Sequence, residues 1–331
     1  MPSALITGIT GQDGSYLAEY LLDKGYMVVG MIRRQSSPTL RNINNFADNE
    51  RFILISGDMT DPVSLRTAVK LYKPDEIYNL AAMSFVATSW RQPELTQSVN
   101  FLGFLHLLES VRDLDESEKR RTRIYQASTS EMFGNVPPPQ SESDAMQPHS
   151  PYGVAKLASH ALAKVYRDSY KMHISCGILF NHESPRRGIE FVTRKIARGV
   201  ARIASGLQET IALGNLESKR DFGSATDYVK AMHLIMQHPE PDDFVIGTGI
   251  SHSVRDFLDC AFKYVGIENW SNLVTRDPRF YRPVDIKDLR ADTSKAQEVL
   301  GWRWEMSFEE LVHWMVDTEM ARLDKNPIYP D

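Results

Sequence analysis

Residues 3–14 read Ser3-Ala4-Leu5-Ile6-Thr7-Gly8-Ile9-Thr10-Gly11-Gln12-Asp13-Gly14. The run 4–7 has the apolar, β-branched character of a buried strand, and three glycines follow at a spacing of Gly-x-x-Gly-x-x-Gly. Leu17 and Leu21 then share one helical face, and Gly25 supplies the stop. Glycine permits the tight turn between strand and helix. It also lets the backbone come close to a bound pyrophosphate, which the free N–H groups of the helix start would hold.

The same alternation continues outward. Strand-like runs lie at 27–32, 52–56, 76–82, 123–128 and 174–180, with helical patterns near 14–24, 62–72, 97–113 and 151–170. Strands separated by helices predict an α/β protein, a Rossmann-type doubly wound parallel sheet. After about residue 181 the rhythm loosens. Helices fit 191–205, 227–237, 254–265 and 308–322, and 244–247 fits a strand. The expected organisation is a dinucleotide-binding Rossmann domain over 1–180 and a smaller, mainly substrate-binding region over 181–331. The chain is expected to cross back to the first domain. Ligands of such sheets lie beyond the carboxyl ends of the strands.

The end of the second strand selects the dinucleotide. An acidic residue there would bind a ribose 2′-OH, but this chain places Arg33 and Arg34 there, followed by Gln35, Ser36 and Ser37. Guanidinium and hydroxyl groups suit a 2′-phosphate, so the expected cofactor is NADP. Asp58, with Met59 beside it, follows the third strand and would meet the adenine. Leu80, Ala81 and Ala82 end the fourth and would line the cofactor.

Ser150-Pro151-Tyr152-Gly153-Val154-Ala155-Lys156 opens a helix, with Ser150 as N-cap and Pro151 in the first turn. Tyr152 and Lys156 stand at i and i+4 and share a face. A free phenol near pKa 10 is a poor base at neutral pH. An ammonium nearby, with a positive nicotinamide, would favour the phenolate that accepts a hydroxyl proton during hydride transfer. The fifth strand ends in Ser128-Thr129-Ser130-Glu131. Thr129 can bond the same substrate oxygen as Tyr152. Simple oxidoreduction needs no carboxylate at Glu131. Elimination of water beside a new ketone does, as base for the α-proton and acid for the departing hydroxyl.

At these residues the chain resembles the extended short-chain dehydrogenase/reductase superfamily and, within it, the GDP-mannose 4,6-dehydratase family. The likeness runs over nearly the whole length, and the stretch Asn181-His182-Glu183-Ser184-Pro185-Arg186-Arg187-Gly188 is its most family-specific part. The resemblance implies a GDP-sugar 4,6-dehydratase in which Thr129, Glu131, Tyr152 and Lys156 are catalytic. It implies cofactor contacts from Gly8, Thr10, Gly11, Gln12, Asp13, Gly14, Ser84, His182 and Arg187, besides those already named. Ser84, Asn181, Val192, Lys195, Arg220, Arg282 and Asp285 would meet the substrate. The pattern departs from the family at Met83, where Gln is usual, at His149, where Arg is usual, and at Asp285, where Glu is usual. Met83 cannot hydrogen-bond as Gln does, so GDP-mannose and another GDP-sugar such as a GDP-heptose both stay open. A sugar epimerase or reductase of the superfamily is the further alternative, and Glu131 speaks against it. A catalytically silent NADP-binding regulator belongs to a different class, and the intact Thr129, Glu131, Tyr152 and Lys156 set speaks against that. By the same resemblance 97–113 and 151–170 would build an intersubunit helix bundle in a homodimer or homotetramer.

The formal charge of −5 offers no basis for nucleic-acid or anionic-membrane binding. No run of about 18 apolar residues occurs. With only Cys176 and Cys260, no zinc spacing arises, and free thiols in a reducing cytoplasm are expected.

Overall fold

The computed structural model describes residues 1–37, 39–281 and 284–325. Strands β1 (Ser3–Thr7), β2 (Met27–Ile32), β3 (Phe52–Ser56), β4 (Glu76–Asn79), β5 (Arg123–Thr129) and β6 (His173–Leu179) come first. Then follow β7 (Asn181–Glu183), β8 (Ile211–Leu213), β9 (Lys219–Ser224), β10 (Asp243–Ile246), β11 (Ser251–Ser253), β12 (Val274–Arg276) and β13 (Asp288–Leu289). One seven-stranded sheet runs β10-β6-β5-β4-β1-β2-β3, with every pair parallel. This is the Rossmann-type sheet expected from the glycine turn and the strand–helix rhythm.

Both faces of the sheet are covered. Ile6, Val28, Tyr78 and Tyr125 pack on one side with Leu17, Leu21, Val229 and Met232. Their neighbours Leu5, Val29, Ile77 and Ile124 pack on the other with Leu65, Leu107, Leu108 and Ala163. Successive strand residues point to opposite faces, so the stretches buried on both sides are apolar, as Ala4–Ile6 of β1 and Val28–Met31 of β2 are.

The helix Gln12–Asp23 starts at Gly11 without a side-chain cap and ends with Gly25 at φ 84°. The helix Pro151–Tyr170 starts as its sequence predicts, because the Ser150 hydroxyl accepts from Gly153 N at 3.0 Å. Two expectations are corrected. The strand expected over 76–82 stops at Asn79, because the amides of Leu80 and Ala81 turn onto the Thr7 hydroxyl at 3.1 Å each instead of continuing the ladder. The helix expected over 97–113 contains a π-helical turn at Ser98–Leu102. Within that turn Asn100 accepts from Met83 N at 2.8 Å and donates to Met83 O at 3.2 Å.

The later part of the chain builds its own core from the helices Val192–Ala204, Val254–Tyr264 and Phe308–Lys325. It also returns to the large sheet: β10 adds the edge beside β6, and the helix Ala225–Gln237 packs against Gln12–Asp23. Asp221 on β9 fastens the two parts. Fully buried, it accepts from Thr248 N (2.8 Å), Thr248 Oγ1 (2.7 Å), Gly249 N (2.8 Å) and Ala291 N (3.1 Å). Replacing Asp221 with Ala strands these donors, and a loss of about 3 kcal/mol is expected. A urea midpoint close to that of the native chain would refute this structural role.

Candidate active site

A cavity of about 1550 Å³ runs along the carboxyl ends of the sheet strands and under the later helices. Its volume exceeds the few hundred to about a thousand Å³ of an ordinary single-ligand site, as two large ligands would require. At one end lies the glycine turn. Gly8 has φ 72°, and a Cβ there would lie 2.8 Å from Ala81 N. A Cβ at Gly14 would lie 2.4 Å from Gly8 O, so only glycine lets the helix lean on the turn. The uncapped helix start beside these close approaches is a cradle for a dinucleotide pyrophosphate, so the residues present fit that cofactor.

Nearly all the predicted contacts line this cavity. They include Thr10, Gly11, Gln12, Asp13, Arg33, Asp58, Met59, Leu80, Ala81, Ala82, Ser84, His182 and Arg187. On the substrate side they include Asn181, Val192, Lys195, Arg220 and Asp285. Arg34 does not line it, whereas Arg33 and Gln35 do, because successive side chains of an extended segment point to opposite sides. Arg282 lies outside the described residues. Met83 lines the cavity and His149 does not; His149 instead meets Asn135 at 3.3 Å.

A polar row supports the floor. The Thr7 hydroxyl donates to Asn79 at 2.9 Å, and the Asn79 amide donates to Gln126 at 2.7 Å. Thr129, Glu131, Tyr152 and Lys156 converge just beyond the end of β5, all buried and all lining the cavity. Gly153 makes this approach possible, since a Cβ there would lie 2.9 Å from the Glu131 backbone oxygen. Thr129 lies close enough to the Tyr152 phenol to ease its ionisation. Burial nevertheless pushes the phenol up to about 12, and nearby Glu131 adds to the rise. The expectation that Lys156 draws the phenol down is therefore not met by the protein's own groups. Lys156 Nζ donates to Ala127 O at 2.8 Å and lies 6.0 Å from the Tyr152 ring centre. Burial pulls Lys156 down to about 8.

The segment 181–187 is fixed from several sides. His182 bonds Asp13 at 2.8 Å, and Ser184 donates to Gln12 at 2.7 Å. Arg187 pairs with Glu183 at 3.2 Å and lies 3.7 Å from the Phe191 ring centre. Farther along, Arg220 is buried and donates to the Lys219 and Ile286 carbonyls at 2.7 and 2.9 Å. Sequence reading missed Asn100, which positions Met83, and the Phe85–Phe191 edge contact at 5.4 Å. An Asn inside a helical pattern, where it competes with backbone bonds, was the available signal for the first. The aromatic contact joins residues far apart in sequence and left none.

A family model described as GDP-mannose 4,6 dehydratase matches residues 5–315. GDP-mannose 4,6 dehydratase 1 of Arabidopsis thaliana is 47% identical over 99% of this chain and 92% of its own. GDP-mannose 4,6-dehydratase of Vibrio cholerae is 44% identical over 95% of this chain and 92% of its own. Among solved structures, UDP-glucose 4-epimerase of Thermus thermophilus in complex with NAD superposes with a TM-score of 0.82 at 25% identity. That likeness covers 96% of this chain and 98% of the epimerase.

The buried lysine has a measurable consequence. Between pH 8 and its unfolded value near 10.5, Lys156 keeps its proton only in the unfolded chain. Stability therefore rises with pH across that window. Without cofactor, the stability difference between the native chain and Lys156→Met should change in favour of the native chain by up to about 3 kcal/mol over it. Parallel stability–pH curves would show that Lys156 does not titrate there.

Proposed function

The chain belongs to the GDP-mannose 4,6-dehydratase family, and on that premise we propose that it converts GDP-mannose to GDP-4-keto-6-deoxymannose by loss of water, with NADP as its cofactor. The observation that carries this is the placement of Glu131 beside Thr129 and Tyr152 in one buried corner of the cavity. When bound, the nicotinamide supplies a two-electron acceptor for C4 of the sugar and returns the pair at C6. The glycine turn, Arg33 and Arg187 would hold it.

Tyr152 takes the C4 hydroxyl proton while Thr129 orients that oxygen. The resulting C4 ketone acidifies the proton on C5. Glu131 removes it and protonates the hydroxyl leaving C6, so that water departs. The proton held by Tyr152 balances the one that C5 regains, and the chain ends as it began. Lys156, anchored on Ala127 O, orients the ribose. Residues 1–180 serve mainly the dinucleotide, and 181–331 mainly the GDP-sugar. Asn181, Arg220 and Arg282 are the substrate's diphosphate ligands, a task suited to guanidinium groups.

Among the described residues, no helix is long and apolar enough to cross a membrane. The free, buried Cys176 fits a reducing cytoplasm. Exposed Val154, Val165 and Tyr170 on Pro151–Tyr170, with Leu95 and Leu102 earlier in the chain, support pairing of two copies through these helices.

Glu131→Gln should bind NADP normally, reduce it on addition of GDP-mannose, and lose dehydration by about a thousandfold. Mass spectrometry reads the loss of water, and near-native product formation would remove Glu131 from the elimination. A GDP-sugar panel in the same assay tests the substrate. Arg33→Ala should weaken NADPH binding about tenfold and NADH binding far less. Equal losses for the two would reject the 2′-phosphate assignment.

A further inference from the structure

Asp13 is an unexpected occupant of the glycine turn. It sits in the first turn of Gln12–Asp23, at the uncapped end where the helix dipole favours an anion. A carboxylate there steadies the helix but repels the phosphates that the same end would bind. Its charge is met within the protein. Asp13 Oδ2 accepts from His182 Nε2 at 2.8 Å, and Oδ1 accepts from the Gln12 amide at 3.0 Å. The other ring nitrogen, His182 Nδ1, faces Phe180 O at 2.8 Å.

Neutral imidazole carries one N–H and cannot donate from both nitrogens; the imidazolium can. The ring is also held flat against Tyr228, with centroids 4.6 Å apart. Burial opposes charge on both partners, yet their mutual attraction and hydrogen bond outweigh it: His182 is raised and Asp13 lowered from their ordinary values. Arg187 and Lys156 are the other cations near Asp13, but Arg187 is paired with Glu183 at 3.2 Å and Lys156 is held on Ala127 O at 2.8 Å. His182 is therefore the cation bonded directly to Asp13.

We propose that His182 is a positioning residue whose imidazolium neutralises Asp13, making the phosphate-binding turn acceptable to a dinucleotide and tying it to the segment 181–187. This rests on the reading that the turn holds a nicotinamide dinucleotide. The charge, rather than the ring's bulk, is what matters, so removing both partners should restore what removing the histidine destroys.

The test is NADPH affinity by fluorescence titration, with thermal melting in parallel. His182→Gln should bind NADPH about tenfold more weakly, since it leaves one uncompensated charge beside the phosphates. Asp13→Asn with His182→Gln should return to within about threefold of the native affinity. Native affinity in His182→Gln, or a double variant as weak as the single one, overturns the proposal. A native chain that binds neither NADPH nor NADH overturns the cofactor reading, and this inference with it.

The native chain and Asp13→Asn provide a second comparison that does not depend on His182→Gln folding. The charged and titratable groups around His182 are Asp13 from the first helix, Tyr228 from Ala225–Gln237, and Glu183 and Arg187 from its own segment. Native affinity should fall as the pH rises above the ordinary imidazole range and the imidazolium deprotonates, and Asp13→Asn should lack that fall. The same pH profile in both overturns the proposal.

Discussion

A methyl group has no room at Gly14, where it would come within 2.4 Å of the Gly8 carbonyl oxygen. Because the helix Gln12–Asp23 can lean this close, its N-terminal amides face the cavity instead of packing against their own turn. The same closeness brings Leu80 and Ala81 over the turn, where their amides use the Thr7 hydroxyl. From there the polar row through Asn79 and Gln126 carries the register across to β5. The position of Thr129 and Glu131 is thus tied, through strand pairing and side-chain hydrogen bonds, to a steric constraint two strands away in the sheet.

The second set of constraints comes from the later part of the chain. Glu183 accepts from Thr193 at 2.6 Å and pairs with Arg187, and Arg194 pairs with Glu319 on the last helix at 3.1 Å. Arg194 and Glu319 are both nearly inaccessible to solvent. Breaking such a pair leaves an uncompensated buried charge, so its worth lies in fixing one arrangement more than in adding net stability. What it fixes is the segment 181–187 against the glycine turn. The segment 181–187 and the glycine turn, built from residues about 170 apart in sequence, are held together as a result.

Much of this was legible from sequence where local chemistry determines it. The glycine spacing, the Ser150–Pro151 helix start and the i, i+4 relation of Tyr152 and Lys156 each follow from a few neighbouring residues, and the structure has them as read. The end of β4 was not legible, because Thr7, far away in sequence, takes the amides that would have continued the strand. The π-helical turn at Asn100 likewise depends on the Met83 backbone, which the pattern of 97–113 does not contain. The short strands β7, β8, β9, β11, β12 and β13 escaped for a related reason. They have two to six residues and pair with partners distant in sequence, so no periodicity develops within them.

Burial also fixes the chemical state of the catalytic corner before any ligand enters. With the phenol near 12, ionising Tyr152 at neutral pH would require about 7 kcal/mol. Tyr152 therefore rests protonated, and only the nearby Thr129 hydroxyl and the Arg187 charge are seen to ease its ionisation. Lys156, drawn down to about 8, keeps most of its charge at neutral pH but holds it on a backbone oxygen rather than on the phenol. A corner arranged like this is a poor base when empty. Under the proposed function it becomes a useful one only once bound positive charge beside the ring has let the phenol give up its resting proton to solvent. Desolvation thus suppresses proton transfer in the empty corner, and under the proposed function Glu131 would meet an acidified C–H only after the first oxidation.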